Sequence, residues 1–308
     1  MGDKRAHTMT DLHSIKTFLI DHACSTQVFL FVTILTSLWL IEKVVSAEPA
    51  GRKWRHSSVN ALFILSALPI QIAPTMLLIG LSSWVTVHHW GLVYLLPNPS
   101  NPWIKYGLMF VALDFLEYVY HVAMHSVSGF WRFHLVHHTD RNLDVSTTVR
   151  EHPGETVLRN GFQLMWVFIC GASFEVVVLR QTVQTLSNIL AHTTLRLPSR
   201  PGRALGWIFI TPNLHHVHHH FQLPYTNRNY GDVFSIWDRL FGTFTELAKE
   251  DTVFGLDTHM EEAVHGNYLG AVSIPFKTRP AVDKGDSVRV RQPDPAPPQT
   301  SDEAGAES

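Results

Sequence analysis

Long stretches without charged residues divide the first third of the chain. No Asp, Glu, Lys or Arg occurs between residues 23 and 41 or between residues 56 and 104. A helix needs about 20 apolar residues to cross the hydrocarbon core of a bilayer. The runs Thr26–Ile41 and Val59–Leu81 therefore predict two membrane-spanning helices. A further helix is predicted at about Trp103–His125.

Three other apolar stretches are shorter than a full crossing. Residues 84–96 predict a re-entrant or interfacial segment, because prolines follow them directly. The uncharged runs 160–174 and 181–195 are each 15 residues, or about 22 Å as a helix. We expect a tilted or partly inserted helical hairpin there. A pair of buried helices in a soluble protein is the alternative, and the long uncharged stretch from residue 56 to 104 argues against it.

The charges beside these runs predict their orientation. Arg52, Lys53 and Arg55 lie between the first two predicted spans, so the positive-inside rule places that loop in the cytoplasm. The histidine-rich region that follows the third helix then also faces the cytoplasm. Acidic residues and histidines before residue 23 are unlike a secretory signal, and we expect the first span to be retained.

The pattern predicts an all-α fold, a polytopic membrane helical bundle with a cytoplasmic histidine-rich cap. We divide the chain into an N-terminal segment (1–22), membrane helices (23–102), a histidine-rich domain (103–256) and a C-terminal extension (257–277). The tail 278–308 is rich in Pro, Ala, Asp and Ser and has almost no large apolar residues. Such a composition cannot bury a core, so we expect disorder there.

Composition narrows the possible functions. The 24 Lys and Arg residues nearly balance 26 Asp and Glu residues, which excludes a broadly basic nucleic-acid binder. Two cysteines are too few for a disulfide scaffold or a zinc site of four thiolates. The 20 histidines are unusual, and twelve of them lie between His121 and His220.

These histidines form three clusters with spacings that suit metal binding. Residues three or four apart lie on one face of a helix, so each cluster can direct several imidazoles to one place. Neutral imidazole is a ligand for iron, zinc, copper and nickel. One zinc needs three or four protein ligands, and the clusters offer at least eight, which indicates two metals. The scarcity of cysteine favours redox iron, although ligand type alone leaves the metal open. The clusters are His121 and His125; His134, His137 and His138; and His215, His216, His218, His219 and His220.

Several polar residues are candidates for supporting this site. Asp114 and Glu117 precede His121 by seven and four residues in an apolar helix. We expect them to hydrogen-bond a ligating imidazole, with a water-bonded position at the membrane rim as the alternative. His192 ends the predicted hairpin near the site, and Asn188 precedes it by one turn. The histidines expected to be ordinary surface or interface residues are His7, His13, His22, His56, His88, His89, His259 and His265.

Six ordered stretches resemble the fatty acid hydroxylase/sterol desaturase superfamily of integral-membrane diiron oxygenases. They cover residues 114–256, nearly half of the chain, and their co-occurrence in this order is highly specific. The stretches are D-x-x-x-Y-x-x-H-x-x-x-H from Asp114, W-x-F-H-x-x-H-H from Trp131, R-x-H-P-x-E from Arg150, H-T-T-L-R-L-P from His192, T-P-x-x-H-x-V-H-H from Thr211, and N-Y-G-D-x-x-S-x-W-D-R-L-F-G-T from Asn229.

The resemblance implies a set of metal ligands. The third cluster has two possible registers, since His216, His219 and His220 repeat the same spacing as the set that begins at His215. The earlier register places Pro212 where the family has it. The resemblance also implies a supporting role for His152 and a contribution, directly or through water, from Asn188. The implied ligands are His121, His125, His134, His137, His138, His192, His215, His218 and His219.

The resemblance further implies the chemistry. Two iron ions with O2 as co-substrate would hydroxylate or desaturate a C–H bond of a membrane lipid such as a sterol or fatty acyl chain. The sequence shows no recognisable electron-transfer motif, so an external electron-donor protein is expected as a partner. Arg132, Arg141, Arg150 and Arg159 would dock that protein or lipid headgroups, or simply form a basic rim. An alkylglycerol ether monooxygenase, a zinc-dependent membrane hydrolase and a metal transporter are the alternatives.

Overall fold

The computed structural model describes residues 22–46 and 49–277 of the chain. The predictions for residues 1–21 and for the tail 278–308 lie outside the described residues. Within the described part the fold is all-α, as predicted, and the β-structure there consists of two isolated bridges, Phe209 with Phe234 and His220 with Phe254.

Three helical segments are long and apolar enough to cross a membrane: Ser25–Val45, Ala50–Leu95 and Trp103–Ser126. They contain helices α1 (Ala23–Val45), α2 (Ala50–Val87) and α3 (Met109–Ser126), with a π-helical turn Trp103–Leu108 leading into α3. The three predicted spans are thus found. Helix α2 continues through Pro69 and Pro74, and its outward apolar side chains, such as Ile72 and Met76, are about two-thirds exposed. Such exposure suits lipid rather than water.

The chain turns back between α2 and α3. At this turn the backbone at Gly91 packs directly against the backbone at Gly171, which follows α5 (Pro153–Cys170). Gly91 has φ of 109° and Gly171 has φ of 75°, and both values belong to the region that glycine adopts without strain. A Cβ atom on Gly91 would overlap the backbone nitrogen of Gly171. The segment after α2, with a short 3-10 helix at Leu92–Leu95, is thereby pressed against the hairpin that follows.

That hairpin consists of α5 (Pro153–Cys170) and α6 (Phe174–His192), reached from α3 through α4 (Ser128–His138) and a 3-10 turn Val145–Val149. Gly171 and two further residues join its arms, which confirms the predicted out-and-back pair. Its apolar residues Val167, Val176 and Val177 share a buried core with Leu78 and Leu113 of the membrane helices. Gln27 of α1 donates to the carbonyl of Val178 at 3.0 Å, which attaches the first helix to α6.

Short helices complete the histidine-rich region: α7 (Ser199–Leu205), α8 (Pro212–His218), a 3-10 turn Tyr225–Asn227, α9 (Ile236–Leu240), α10 (Glu262–His265), α11 (Tyr268–Val272) and a 3-10 turn Ile274–Phe276. The last of these pack on α2 and α4 through Phe63, Leu135 and Ile274. The sequence 257–277 is therefore part of the same packed body as the histidine clusters, and its apolar residues help to hold α4 in place.

A buried polar network fixes the start of α2 to the histidine-rich region. The ammonium of Lys53 lies 3.0 Å from Glu42 and 2.9 Å from Asp144, and all three residues are buried. Glu42 also accepts hydrogen bonds from the hydroxyl of Thr193 and the amide of Thr194. Lys53 is therefore an internal ion-pair partner, and only Arg52 and Arg55 of the predicted cytoplasmic charges are exposed.

Two histidines expected at the surface lie inside this region. His56 bonds both carboxylate oxygens of Asp140 at 2.9 Å, and His265 is 5 % exposed. Spacing along the chain shows no partner for His56, because Asp140 is 84 positions away, whereas His265 lies 3.5 Å from Glu262, three positions before it. The surface prediction is wrong for both.

Candidate metal centre

Nine histidines form two compact groups. Eight of them lie in four helices, and the ninth, His219, directly follows α8. In each group, one possible ligand atom per residue can be chosen so that all lie within 4.8 Å of one another. The first group contains His121, His125, His134, His138 and His218, and the second contains His137, His192, His215 and His219. These are the nine residues for which the sequence predicts a metal-binding role.

Helical spacing explains which histidines each helix contributes to the two groups. Helix α3 directs His121 and His125, four residues apart, to the first group. Helix α4 divides its histidines, since His134 and His138 join the first group while His137 joins the second. The two groups are adjacent, because the rings of His138 and His219 stack with centroids 4.6 Å apart.

Helix α8 also supplies both groups, and it decides between the two registers. His218 joins the first group, and His215 and the following His219 join the second. His216 instead accepts from the guanidinium of Arg196 at 3.0 Å, and its other nitrogen bonds the carbonyl of Thr193. His220 accepts from the amide of Val253. The register beginning at His215 is thus the one that the fold brings together.

Hydrogen bonds fix the orientation of the imidazoles in the first group. The Nδ1 atoms of His121 and His218 each lie 2.8 Å from a carbonyl oxygen, of Tyr230 and Arg228 respectively. A carbonyl oxygen only accepts, so each Nδ1 carries the proton. The Nε2 atoms of both rings are buried and have no hydrogen-bond partner among the described residues. Their lone pairs are therefore available to a ligand in the centre of the group.

The second group shows the same arrangement with closer contacts. His137 and His192 donate through Nδ1 to the carbonyls of Arg150 and Asn188, at 3.2 and 2.8 Å. Burial lowers the pKa of His192 to about 4, and it lowers the pKa of His137 well below its usual value, so both rings are neutral at pH 7. Their Nε2 atoms nevertheless stand 3.1 Å apart. Two unprotonated nitrogens at this distance repel each other unless a cation lies between them.

The spacing of these nitrogens fits a metal ion. The Nε2 atoms of His192 and His215 are 3.1 Å apart, and those of His215 and His219 are 3.2 Å apart. With metal–nitrogen bonds of about 2.1 Å, neighbouring ligands are separated by roughly 3.0 Å in an octahedron and roughly 3.4 Å in a tetrahedron. The second group therefore has ligand separations that suit a transition metal without rearrangement.

The carboxylates predicted to support the imidazoles bond other groups. Asp114 is fully buried and accepts from the amides of Val233 and Phe234 and from the indole of Trp237 at 2.8 Å. It anchors the segment after Tyr230 to α3. Glu117 faces Arg159 and Arg180 at 2.6 and 3.1 Å. Neither carboxylate bonds an imidazole, and neither lies at a solvated rim, so both predicted positions are wrong.

Glu155 is the carboxylate that supports a histidine. Its Oε1 accepts from Nδ1 of His134 at 2.8 Å, and both side chains are buried. Burial alone would raise the pKa of Glu155, but His134 and Arg159 lower it below its usual value, so the carboxylate is ionised. The sequence had a signal for this residue, because Glu155 closes the R-x-H-P-x-E stretch. From that stretch, however, the resemblance implied a supporting role for His152 and none for Glu155.

His152 itself starts helix α5. Its Nδ1 accepts from the amide of Gly154 at 2.8 Å, and its Nε2 donates to the carbonyl of Val272 at 3.1 Å. Both ring nitrogens are engaged away from the two groups. His152 thus acts on the site through the helix that carries Glu155, by satisfying an amide at its first turn.

A cavity of about 240 Å³ opens onto both histidine groups. His121 and His134 of the first group line it, together with His137, His192 and His215 of the second. The side chain of Asn188 also lines it, which places this residue beside the groups, and its role as a ligand stays a prediction. The remaining lining residues are Phe31, Glu117, Tyr120, Thr148, Glu151, Glu155, Arg159, Gln184, Thr185 and Asp232.

One of the arginines predicted to dock a partner is buried, and a second is held by three carboxylates. Arg150 is 1 % exposed and donates to the carbonyls of Val136 and His265. Arg159 donates to Glu117, Glu151 and Glu155 beside the cavity. A docking or rim role is therefore wrong for Arg150, whereas it stays a prediction for Arg159, whose side chain is 34 % exposed, and for the exposed Arg132 and Arg141.

Comparisons with known proteins agree with this site. Residues 106–243 match the family model described as fatty acid hydroxylase. The chain is 31 % identical over 231 residues to alkylglycerol monooxygenase of Homo sapiens, covering 72 % of this chain and 48 % of that protein. It is 30 % identical over 169 residues to ornithine lipid hydroxylase OlsE of Rhizobium tropici, covering 55 % and 49 %. No solved structure gives a significant match.

The matched residues contain α3 to α9 and all nine histidines. The chain thus belongs to the fatty acid hydroxylase superfamily, and the resemblance seen in the sequence is confirmed. The chain spans about half the length of these two curated relatives.

Proposed function

We propose that the protein is an O2-dependent hydroxylase of membrane lipids and that its nine clustered histidines hold two iron ions. One observation carries this proposal. The Nε2 atoms of His137 and His192 face each other at 3.1 Å although the Nδ1 atom of each ring carries its proton. Such an arrangement is stable when a cation occupies the space between the lone pairs.

The donor set favours a pair of redox metals. The nine nitrogens of the two groups together exceed the four protein ligands of one structural zinc and the three of a zinc hydrolase. Imidazole binds iron as it binds zinc, copper and nickel, so two sites of this kind can hold a pair of irons. When bound, an iron pair supplies the reduction of O2 and the oxidation of an unactivated C–H bond, which no side chain achieves alone.

The residues of the chain prepare the site for this chemistry. The carbonyls of Tyr230, Arg228 and Arg150 hold three imidazoles in one tautomer, and Glu155 holds a fourth. Each ring is thereby oriented before a metal binds, which lowers the cost of ordering it. The adjoining cavity gives a substrate access to both groups, so the position of a bound lipid decides which carbon reacts.

The relatives support a lipid as substrate. Their names describe monooxygenation of an alkylglycerol and hydroxylation of an ornithine lipid. Hydroxylation is therefore favoured over desaturation. An alkylglycerol monooxygenase activity is the second candidate, because the match to the human enzyme of that name covers 72 % of this chain.

We further propose that the histidine groups face the cytoplasm and receive electrons from a separate donor protein. Arg52 and Arg55 at the start of α2 support this orientation, since both are exposed at the end of a span beside the histidine-rich region.

Metal analysis together with oxygen uptake tests the proposed function. The purified protein is loaded anaerobically with Fe²⁺, and iron per chain is measured. Oxygen uptake is then followed with a chemical reductant and a membrane lipid extract. We expect two irons per chain and lipid-dependent oxygen uptake with a hydroxylated product. One zinc per chain with turnover in the absence of O2 would replace this proposal by a hydrolase.

A further inference from the structure

The histidine-rich region exposes a group of large apolar side chains that lie outside the three candidate spans. They belong to the turn after α7, to α9 and to the residue that follows α9. Trp207, Ile208, Leu240 and Phe241 are each more than half exposed, and Phe209 is 43 % exposed. We refer to these five residues as the apolar face. Exposed apolar side chains in such a group are typical of a surface that meets a partner or a membrane.

Direct contacts join the two chain segments that form the apolar face. The amide of Ser235 donates to the carbonyl of Ile208 at 2.9 Å. The guanidinium of Arg239 lies 4.1 Å from the ring centre of Trp207 and donates to the carbonyl of Gly206 at 3.1 Å. The turn after α7 and helix α9 therefore form one surface, although they are far apart in the chain.

Aromatic contacts place this surface beside the middle of α3. The ring of Phe115 lies 5.1 Å from that of Trp237 and 5.7 Å from that of Phe241, measured between ring centres. Phe115 is near the centre of the candidate span Trp103–Ser126. It precedes His121 by six residues, or about 9 Å along a helix. The apolar face thus lies beside the span itself and not beyond the end of the span.

The backbone of this region has the hydrogen bonds that a medium without water requires. A bilayer core offers no water to an amide, so amides at that depth need partners inside the protein. Every amide of residues 206–210 and 233–235 donates a hydrogen bond. Two of these bonds, from Val233 and Phe234, reach the carboxylate of Asp114 on α3. A carboxylate inside a span is costly unless it has partners, and this segment supplies them.

Basic side chains lie next to the apolar face along the chain. Arg200 and Arg203 on α7 are exposed and precede the turn that carries Trp207. Long basic side chains near the apolar part of a membrane extend to the headgroups, and tryptophan is enriched at that level. The order of basic, aromatic and aliphatic residues therefore suits a surface that enters the membrane from the headgroup side.

We propose that the apolar face is immersed in the bilayer beside α3, with its side chains against lipid. The histidine-rich region then contacts the membrane through this face as well as through the spans. The two segments of the face lie before α8 and after Tyr230, whose carbonyl orients His121. Immersion of the face therefore holds both histidine groups at the membrane surface. This inference rests on α3 as a membrane span and does not depend on the hydroxylase activity.

The reactivity of single cysteines tests the proposal without turnover. The full chain is placed, one copy per disc, in phosphatidylcholine nanodiscs, which leave both membrane surfaces open to water. Ile208→Cys and Leu240→Cys are labelled with a membrane-impermeant maleimide, and the wild-type protein gives the background of Cys24 and Cys170. We expect both variants to label at least about tenfold more slowly than a cysteine in water, because apolar surroundings suppress the reactive thiolate.

Two further positions calibrate the labelling. Lys249→Cys is the water reference, since Lys249 is exposed in the same histidine-rich region. Ile72→Cys is the lipid reference, because Ile72 is 67 % exposed within a candidate span. All four variants should label equally after unfolding in dodecyl sulfate, which shows that each cysteine is intact.

Contact with lipid requires a second measurement, because protein could also shield the apolar face. A bimane fluorophore is attached to each of the four cysteines by prolonged labelling in detergent. The labelled proteins are returned to nanodiscs that contain phosphatidylcholine with brominated acyl chains. Bromine quenches fluorophores that touch the hydrocarbon. We expect quenching at positions 208 and 240 close to that at position 72 and well above that at position 249.

The two measurements distinguish lipid from the other possible surroundings. Labelling of both face cysteines as fast as Lys249→Cys would place the face in water and overturn the proposal. Slow labelling without quenching by brominated lipid would mean that another part of the chain or a second copy covers the face, which would overturn it as well. Neither measurement uses O2 or a reductant, so failure of the hydroxylase function would leave these results unchanged.

Discussion

The Oε1 atom of Glu155 accepts a hydrogen bond from Nδ1 of His134 at 2.8 Å, while Nε2 of the same ring is buried without a partner in the described part of the chain. The contact links α5 to α4 and sets the tautomer of an imidazole in the first group. A carboxylate in this position also increases the electron density of a metal-binding ring.

Replacement of Glu155 by Gln should therefore weaken metal binding. The amide of Gln can still contact His134, but it brings no negative charge. We expect iron affinity to fall roughly 10- to 100-fold, which is the usual range for a lost carboxylate–histidine contact. Metal affinity is measured by competition with a chelator. Glu151→Gln is the control, since Glu151 bonds Arg159 and Thr156 and no imidazole. Wild-type affinity in Glu155→Gln would contradict a metal role for this pair.

Single histidine variants should separate the two groups. His218→Ala removes one nitrogen from the first group, and His137→Ala removes one from the second. We expect each variant to bind less iron than the wild type and to lose turnover, because both ions are needed for O2 chemistry. His216→Ala is the neighbouring control, since His216 bonds Arg196 and Thr193 outside both groups. Iron content is read by metal analysis, and full activity of His137→Ala and His218→Ala would exclude the assignment.

Acid should destabilise the metal-free protein. Burial lowers the pKa of His192 to about 4 and the pKa of His218 to about 3. The unfolded chain takes up protons below a pKa of about 6.5, while these folded rings stay neutral, so the free energy of unfolding falls as the pH falls. Each such ring contributes about 1.4 kcal/mol per pH unit in this window. Thermal unfolding with a chelator between about pH 7.5 and 5 checks the sign, and a midpoint that is constant or rises toward acid would refute it.

Loss of the Lys53 ammonium should destabilise the whole fold. Lys53→Met leaves the buried carboxylates of Glu42 and Asp144 close together without their shared cation. Breaking a buried ion pair by removing one partner costs roughly 3–5 kcal/mol, far more than a surface substitution. The midpoint of thermal unfolding in detergent measures the effect. Arg52→Met is the control because Arg52 is exposed on the same turn of α2, and equal midpoints for the two variants would show that the network is dispensable.

The sequence predicted most of the architecture that surrounds the site. Uncharged runs located the three helices that can cross a membrane, and paired shorter runs located the α5–α6 hairpin, because apolar length follows directly from residue order. The spacing of His121 and His125, and of His134 and His138, likewise placed each pair on one helix face. Such local periodicities survive folding, since the helix itself fixes which side chains are neighbours.

The partners of the polar residues were not predictable in this way. Glu117 meets Arg159 across 42 positions, and Asp114 meets Trp237 across 123. A buried carboxylate must be satisfied, but spacing along the chain gives no information on which distant cation or amide does so. The same holds for His56 with Asp140, and for the choice of Glu155 over Glu117 as the partner of an imidazole.

The sequence by itself determined the helical membrane class, the superfamily and the nine histidines, because these depend on composition and on short, regular spacing. The tertiary structure alone decided how α4 divides its histidines between two groups, which nitrogens carry protons, and that the adjoining cavity is lined by carboxylates. Those features depend on contacts between α3, α4, α5, α6 and α8. Helix packing sets such contacts, since it brings together residues that are far apart in the chain.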